Sequence, residues 1–156
     1  MISNLHKKFI SGLTVLLLLG CDNKNENDLA LLSSYPKRGA CSIDGPERNS
    51  TVDNSKDLLI RGWAYDGQSQ QIPQTLTLYM INEHTKELTL ATLRRGEKRG
   101  DVAKAFGNPA LEESGFSGIL SKDKLKTGNY HLILLQMDRN IGAIACAGEP
   151  HKIVIN

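Results

Sequence analysis

The residue types that could carry covalent chemistry in this 156-residue chain are few and poorly spaced. Gly115-Phe116-Ser117-Gly118 approaches the G-x-S-x-G turn that exposes a nucleophilic serine, but Ile119 stands where the second glycine is needed. Glu112 and Glu113 are neighbours, and neighbouring side chains on a helix or strand point apart, so they cannot serve one substrate atom as acid and base. His131 and His151 have no serine or cysteine partner by motif. Together with His6 and His84 they form no ligand-like spacing, and the chain has no Cys-x-x-Cys. The expectation is a non-enzyme with no metal and no cofactor.

Binding chemistry has more candidates. Trp63, Tyr65 and Tyr79 could stack their faces on the apolar faces of pyranose rings. Against this, the single Trp of a small domain is more often core than ligand contact. Arg94, Arg95, Lys98 and Arg99 form the one basic cluster, but Glu97 and Asp101 dilute it, so a solvated loop competes with a protein-contact loop. Arg99-Gly100-Asp101 matches a cell-adhesion tripeptide, for which chance and Gly-Asp turn chemistry suffice. Asn49-Ser50-Thr51 fits the glycosylation acceptor pattern, which most bacteria have no machinery to use.

At the N-terminus, Lys7 and Lys8 precede an apolar stretch over residues 9–19, the layout of a secretory signal and too short to span a bilayer. Leu18-Leu19-Gly20-Cys21, which closes that stretch, resembles the lipobox of bacterial lipoproteins. The resemblance implies diacylglycerol on the Cys21 thiol, cleavage after Gly20 and acylation of the new terminus, and several acyl chains make a stable anchor. Asp22 occupies the position where many enterobacterial lipoproteins carry an Asp that retains them in the inner membrane. The implied location is therefore the periplasmic face of the inner membrane, with the outer membrane as alternative. Asp22 to Asp28 holds no aromatic or β-branched residue, and residues 21–38 are predicted to be a disordered tether.

Without residues 1–20 the 19 basic residues become 17, equal to the 17 acidic ones. A neutral chain with no basic stripe gives no support to nucleic-acid binding. With Cys21 lipidated, Cys41 and Cys146 remain in an oxidising compartment, and they are predicted to pair; two free buried thiols are the alternative. Such a bridge closes a loop of about 105 residues, for which chain entropy gives roughly 4.7 kcal/mol.

From residue 58 the pattern is that of strands, period-two or wholly apolar, separated by Gly, Asn, Asp, Pro and Lys. Strands are predicted at 40–43, 58–65, 75–81, 87–93, 130–137, 141–146 and 151–155. Residues 75–81 and 87–93 form an antiparallel hairpin, with Leu76, Leu78 and Met80 on one face. About seven short strands and a first-to-last disulfide favour an antiparallel immunoglobulin-like β-sandwich over residues 39–156. Residues 101–106 favour one or two helical turns inside a long connection from Arg94 to Ser114, either a cap on an open end or a binding loop.

Gly62-Trp63-Ala64-Tyr65-Asp66, then Arg99-Gly100-Asp101-Val102 with Phe106, then Ser114-Gly115-Phe116, resembles a β-sandwich module of exported and surface-polysaccharide-related bacterial proteins. Gly100 replaces that module's usual Pro. The resemblance implies a fold rather than an activity. In residue terms, Trp63 and Phe116 are predicted core aromatics, and Arg99 an ion-pair partner of Asp66 or Asp101.

These readings lead to two expectations of function. The first is a membrane-anchored, non-catalytic module for a periplasmic protein partner, of immunity, exclusion or inhibitor type, using Arg94, Arg95, Arg99 and Asp101. The second is a carbohydrate-binding or envelope-structural lipoprotein using Trp63, Tyr65 and Tyr79.

Overall fold

The computed structural model describes residues 24–156. Two α-helices and nine strands follow in the order α1 (Lys24–Ser34), β1 (Lys37–Gly45), β2 (Ser50–Val52), β3 (Leu58–Asp66), β4 (Thr75–Asn82), β5 (Leu88–Glu97), α2 (Gly100–Ala105), β6 (Gly115–Leu120), β7 (Gly128–Asp138), β8 (Gly142–Cys146) and β9 (His151–Ile155). A 3-10 helix, Pro109–Glu113, joins α2 to β6. The predicted hairpin forms in register, Leu76 opposite Leu93 and Ile81 opposite Leu88. The alternation in β4 buries Leu76, Leu78 and Met80 and turns Thr75, Thr77 and Tyr79 outward.

The hydrogen-bond ladder does not divide into the two sheets of the expected sandwich. It runs β7-β4-β5-β6-β3-β1-β8 and returns to β7, so seven strands close into a barrel, and β9 with β2 extends it as a flap from β7. The length of β7 explains the closure. Its eleven residues pair with β4 on one side, while on the other its first half pairs with β9 and its second half with β8. The central position expected of this strand is observed, with three neighbours instead of two. Two pairings are parallel, β1 with β8 and β2 with β9, so the sheet is not wholly antiparallel.

The barrel core is formed by Ile60 and Ala64 of β3, Leu76 and Leu78 of β4, and Phe116 and Leu120 of β6. Leu132 and Leu134 of β7 and Ile153 and Ile155 of β9 pack with them. Gly62 lets β1 and β3 approach, since a Cβ there would lie 2.0 Å from the Ser42 carbonyl oxygen. The predicted disulfide is present: Cys41 of β1 and Cys146 of β8, Cα atoms 5.8 Å apart, bridge 105 positions of sequence. It secures the shortest ladder in the ring, only Lys37 opposite Ala145 and Gly39 opposite Cys146.

The structure differs from the sequence reading at the N-terminal side. Residues 24–34, predicted to lie in a disordered tether, form helix α1. Its second half carries Leu29, Leu31 and Leu32, and Leu32 is buried against the barrel. An eleven-residue helix is marginal alone in water, so this docking is what holds it. Pro36, which disfavours helix at the residue before it, ends α1 and opens β1. Among the described residues no helix is long and apolar enough to cross a membrane. Cys21 and its lipobox lie outside the described residues.

Candidate functional site

The outward side of β3 carries Leu59, Arg61, Trp63 and Tyr65, because successive side chains alternate across a strand. Trp63 and Tyr65 are covered by the connection between β5 and β6, which is folded and not loose. Val102 of α2 and Leu111 of the 3-10 helix are buried against Tyr65, with Trp63, Ala40 and Ile72 around them. Asn108 caps the 3-10 helix by accepting the Ala110 N–H at 3.0 Å, and Pro109 follows at its first position. Backbone hydrogen bonds from Arg99 N–H to the Glu112 carbonyl (2.6 Å) and from Ala64 N–H to the Ser114 carbonyl (3.0 Å) tie the connection to itself and to β3.

Arg99 organises this unit. Its Nε and Nη2 donate to the two carboxylate oxygens of Asp101 at 2.9 and 2.7 Å, and its Nη1 donates to Asp44 of β1 at 2.6 Å. The fork therefore clamps the start of α2 to the barrel wall. Hydrogen bonding to Arg99 lowers the Asp101 pKa to about 2, and that to Asp101 raises the pKa of Arg99. Of the two partners predicted for Arg99, Asp101 is found. Asp66 is buried elsewhere, 3.4 Å from Arg38 Nε and accepting from Ser69 Oγ at 2.8 Å.

The four predicted protein-contact residues separate. Arg94 points outward and lies 3.6 Å from Glu97. Arg95, the next residue, points into the barrel. It donates to the Ala64 carbonyl and to Gln136 Oε1, each at 2.7 Å, and Gln136 Nε2 donates in turn to the Tyr65 carbonyl at 3.0 Å. Burial pulls the Arg95 guanidinium down to about 10. Arg95 is thus part of an internal polar network, and Arg99 and Asp101 belong to the clamp.

The three predicted aromatic contacts separate too. Trp63 and Tyr65 stack with centroids 5.8 Å apart and planes at 23°, and Phe106 closes the cluster at 5.6 Å from Trp63 and 5.4 Å from Tyr65. Tyr65 is buried and Trp63 half-buried. Tyr79 lies on the outside of β4, opposite Leu90 and Ile133; burial raises its pKa, with Tyr35 and Asp28 adding to the rise. No flat platform of three rings forms. What does reach solvent is Phe106, 49% exposed at the edge of the cluster, and on the same outward side of β3 and β6 the facing pair Leu59 (50%) and Ile119 (69%).

A cavity of about 550 Å³ lies on another side of the molecule, under α1. Ile133 and Leu134 of β7 fall between the stretches paired to β8 and to β9, leaving a gap in the wall there. Leu132 to Leu134, Ile43 and the Cys41–Cys146 bridge line the gap, and Leu29 and Leu32 of α1 roof it. Burying Leu32 contributes roughly 2 kcal/mol. Among the described residues no hydrogen bond or ion pair joins α1 to the barrel. The helix's two side-chain hydrogen bonds are internal, Ser33 Oγ to the Ala30 carbonyl and Ser34 Oγ to the Leu31 carbonyl, both 2.7 Å.

Sequence reading missed Asp44, Gln136 and the cavity. Gln136 carried a signal, a lone amide in a strand otherwise apolar on its buried positions. Asp44 and the cavity carried none, since each depends on contacts distant in sequence. Among the described residues no three His, Cys, Asp or Glu come together in a way that could hold a metal ion.

No family model matches the sequence, and no curated protein matches it either. Among solved structures, the chain is similar to the endo-β-1,4-mannanase from Thermotoga petrophila, at 11% identity and a TM-score of 0.48. The match covers 83% of this chain but spans only 22% of that one, and at this level it carries no argument about activity.

Proposed function

We propose that the chain is an exported lipoprotein, cut before Cys21 and anchored through lipid on that residue, whose barrel is a non-catalytic module that binds a periplasmic protein. From the expected immunoglobulin-like sandwich this reading keeps only the logic, a rigid β frame that presents a connection. The observation that carries it is the α2 connection. Residues 98–114 are tied to the barrel by the Arg99 clamp and by backbone hydrogen bonds, and they hold Phe106 out on a stacked aromatic base. A rigid, half-exposed aromatic is the kind of residue that anchors protein interfaces, because little side-chain entropy is lost on burial. The same packing disfavours the glycan alternative, since Tyr65 is buried and Tyr79 stands on another part of the barrel.

The test is photocrosslinking of the full chain in intact bacteria, with a benzophenone amino acid at position 106. A discrete protein adduct is expected from position 106 and none from position 90 on β5. Equal adducts from both positions, or none from 106, would sink the protein-binding reading. In parallel, Cys21→Ser should release the chain from membranes; if that variant still sedimented with them, the anchor would be wrong.

A further inference from the structure

The cavity under α1 has the construction of a ligand site independent of whatever Phe106 contacts. Its volume of about 550 Å³ falls in the range of about 300–1,000 Å³ typical of small-molecule sites. Its inner walls are apolar: Ile43, Leu132 and Leu134 come from the barrel interior, and the disulfide forms one side. The charged side chains of the lining, Lys37, Asp44, Glu47, Arg48 and Glu149, are all exposed and stand at its rim. There Asp44 is already held by Arg99, and Arg48 lies 4.0 Å from Glu149. Lys37 sits where α1 passes into β1, and among the described residues no carboxylate lies within ion-pair distance of it.

The roof is built to move. Leu29 and Leu32 of α1 line the cavity together with Ile81 and Ile133, and among the described residues no hydrogen bond or ion pair ties the helix to the barrel. A segment attached by few apolar contacts and no hydrogen bonds opens at low free energy relative to the barrel beneath it. Pro36, between helix and strand, gives the opening a defined pivot. Lifting α1 uncovers an apolar slot with a cation at its edge.

We infer that this slot binds a single-chain fatty acid, its hydrocarbon chain between β1 and β7 under α1 and its carboxylate at Lys37. The apolar walls take the chain, and Lys37 supplies the charge that orients the head group.

The experiment uses the full chain in membranes and a diazirine-bearing palmitate analogue, with the labelled peptides mapped by mass spectrometry. Label is expected within residues 132–134 and on α1, and an excess of unlabelled palmitate should remove it. Ile133→Trp fills the slot from its half-buried outer edge, and Ala147→Trp narrows the mouth from an exposed position; each should lower competable labelling by at least about tenfold. Lys37→Glu should weaken competition by palmitate about tenfold while leaving competition by methyl palmitate unchanged. Labelling that persists in Ala147→Trp, label spread over Leu59 and Ile119 instead of the slot, or no competition by palmitate would each overturn the assignment. If Ile133→Trp failed to fold, Ala147→Trp, which leaves the core untouched, would decide alone.

Discussion

Removing the Cys41–Cys146 bridge, by reduction or as the Cys41→Ala/Cys146→Ala pair, should destabilise the barrel through its unfolded state. The bridge links positions 105 apart, and for a loop of that size the chain-entropy model gives about 4.7 kcal/mol. For a domain between the usual size classes, each kcal/mol moves the midpoint by about 4 °C, so a fall of roughly 15–20 °C is expected. The native side of the equilibrium adds little of its own, because the two-pair β1–β8 ladder the bridge secures is short. Guanidinium unfolding followed by tryptophan fluorescence, with and without reductant, measures the loss through Trp63. The denaturant slope should rise as well, because an uncrosslinked unfolded chain exposes more surface. A loss below about 1 kcal/mol with an unchanged slope would refute the argument, since it would mean that the reduced unfolded chain already holds its ends together.

Gln136→Leu strands one arm of the half-buried Arg95 guanidinium and should cost about 2 kcal/mol, whereas adding Arg95→Met should recover part of it; equilibrium unfolding of the single and double variants tests the coupling. Gly62→Ala should fail to fold or lose more than about 3 kcal/mol, because its Cβ meets backbone at 2.0 Å, while Gly100→Ala, with open space around it, should be neutral or slightly stabilising by thermal melt. Asp101 titrates near 2 when folded, below its ordinary 3.8, so its contribution is complete above about pH 4 and fades as the pH falls toward 2; Asp101→Asn should flatten that acid limb in denaturation curves taken across the window. Burial lowers the His151 pKa below 6.5, so the unfolded chain takes up the proton first and stability falls as the pH drops through 6.5; His151→Gln should remove that part of the slope between pH 7 and 5.

What the sequence determined by itself were seven of the nine strands, the short helix near residue 101 and one long-range link; β2, only three residues long, and β6, broken by Gly115 and Gly118, were not among the predicted strands. Strict alternation marked β4, an unbroken apolar run marked β7, and Asn, Asp and Gly marked the turns between strands, because a strand's two faces and a turn's dihedrals are satisfied by nearby residues. The disulfide was also legible, since counting cysteines needs no geometry. The edges of elements were less so: β1 runs nine residues where four were expected, because β3 on one side and β8 on the other supply hydrogen bonds that no local pattern records. Only the tertiary structure decided the closure into a barrel. A sandwich would share the same inward and outward residues; the difference lies in pairings that no local pattern records, β5 with β6, which keeps the ladder continuous, and β8 with β1, a parallel pairing across the full length of the domain that closes it. It likewise decided the fate of α1. Leu29 and Leu32 lie in a polar stretch too short to hold a helix alone, and they find apolar surface only where β7 changes partners and leaves a groove. The same held for the arginines: Arg94 and Arg95 look equivalent in sequence, and strand alternation with the enclosing barrel turns one to solvent and the other into the core.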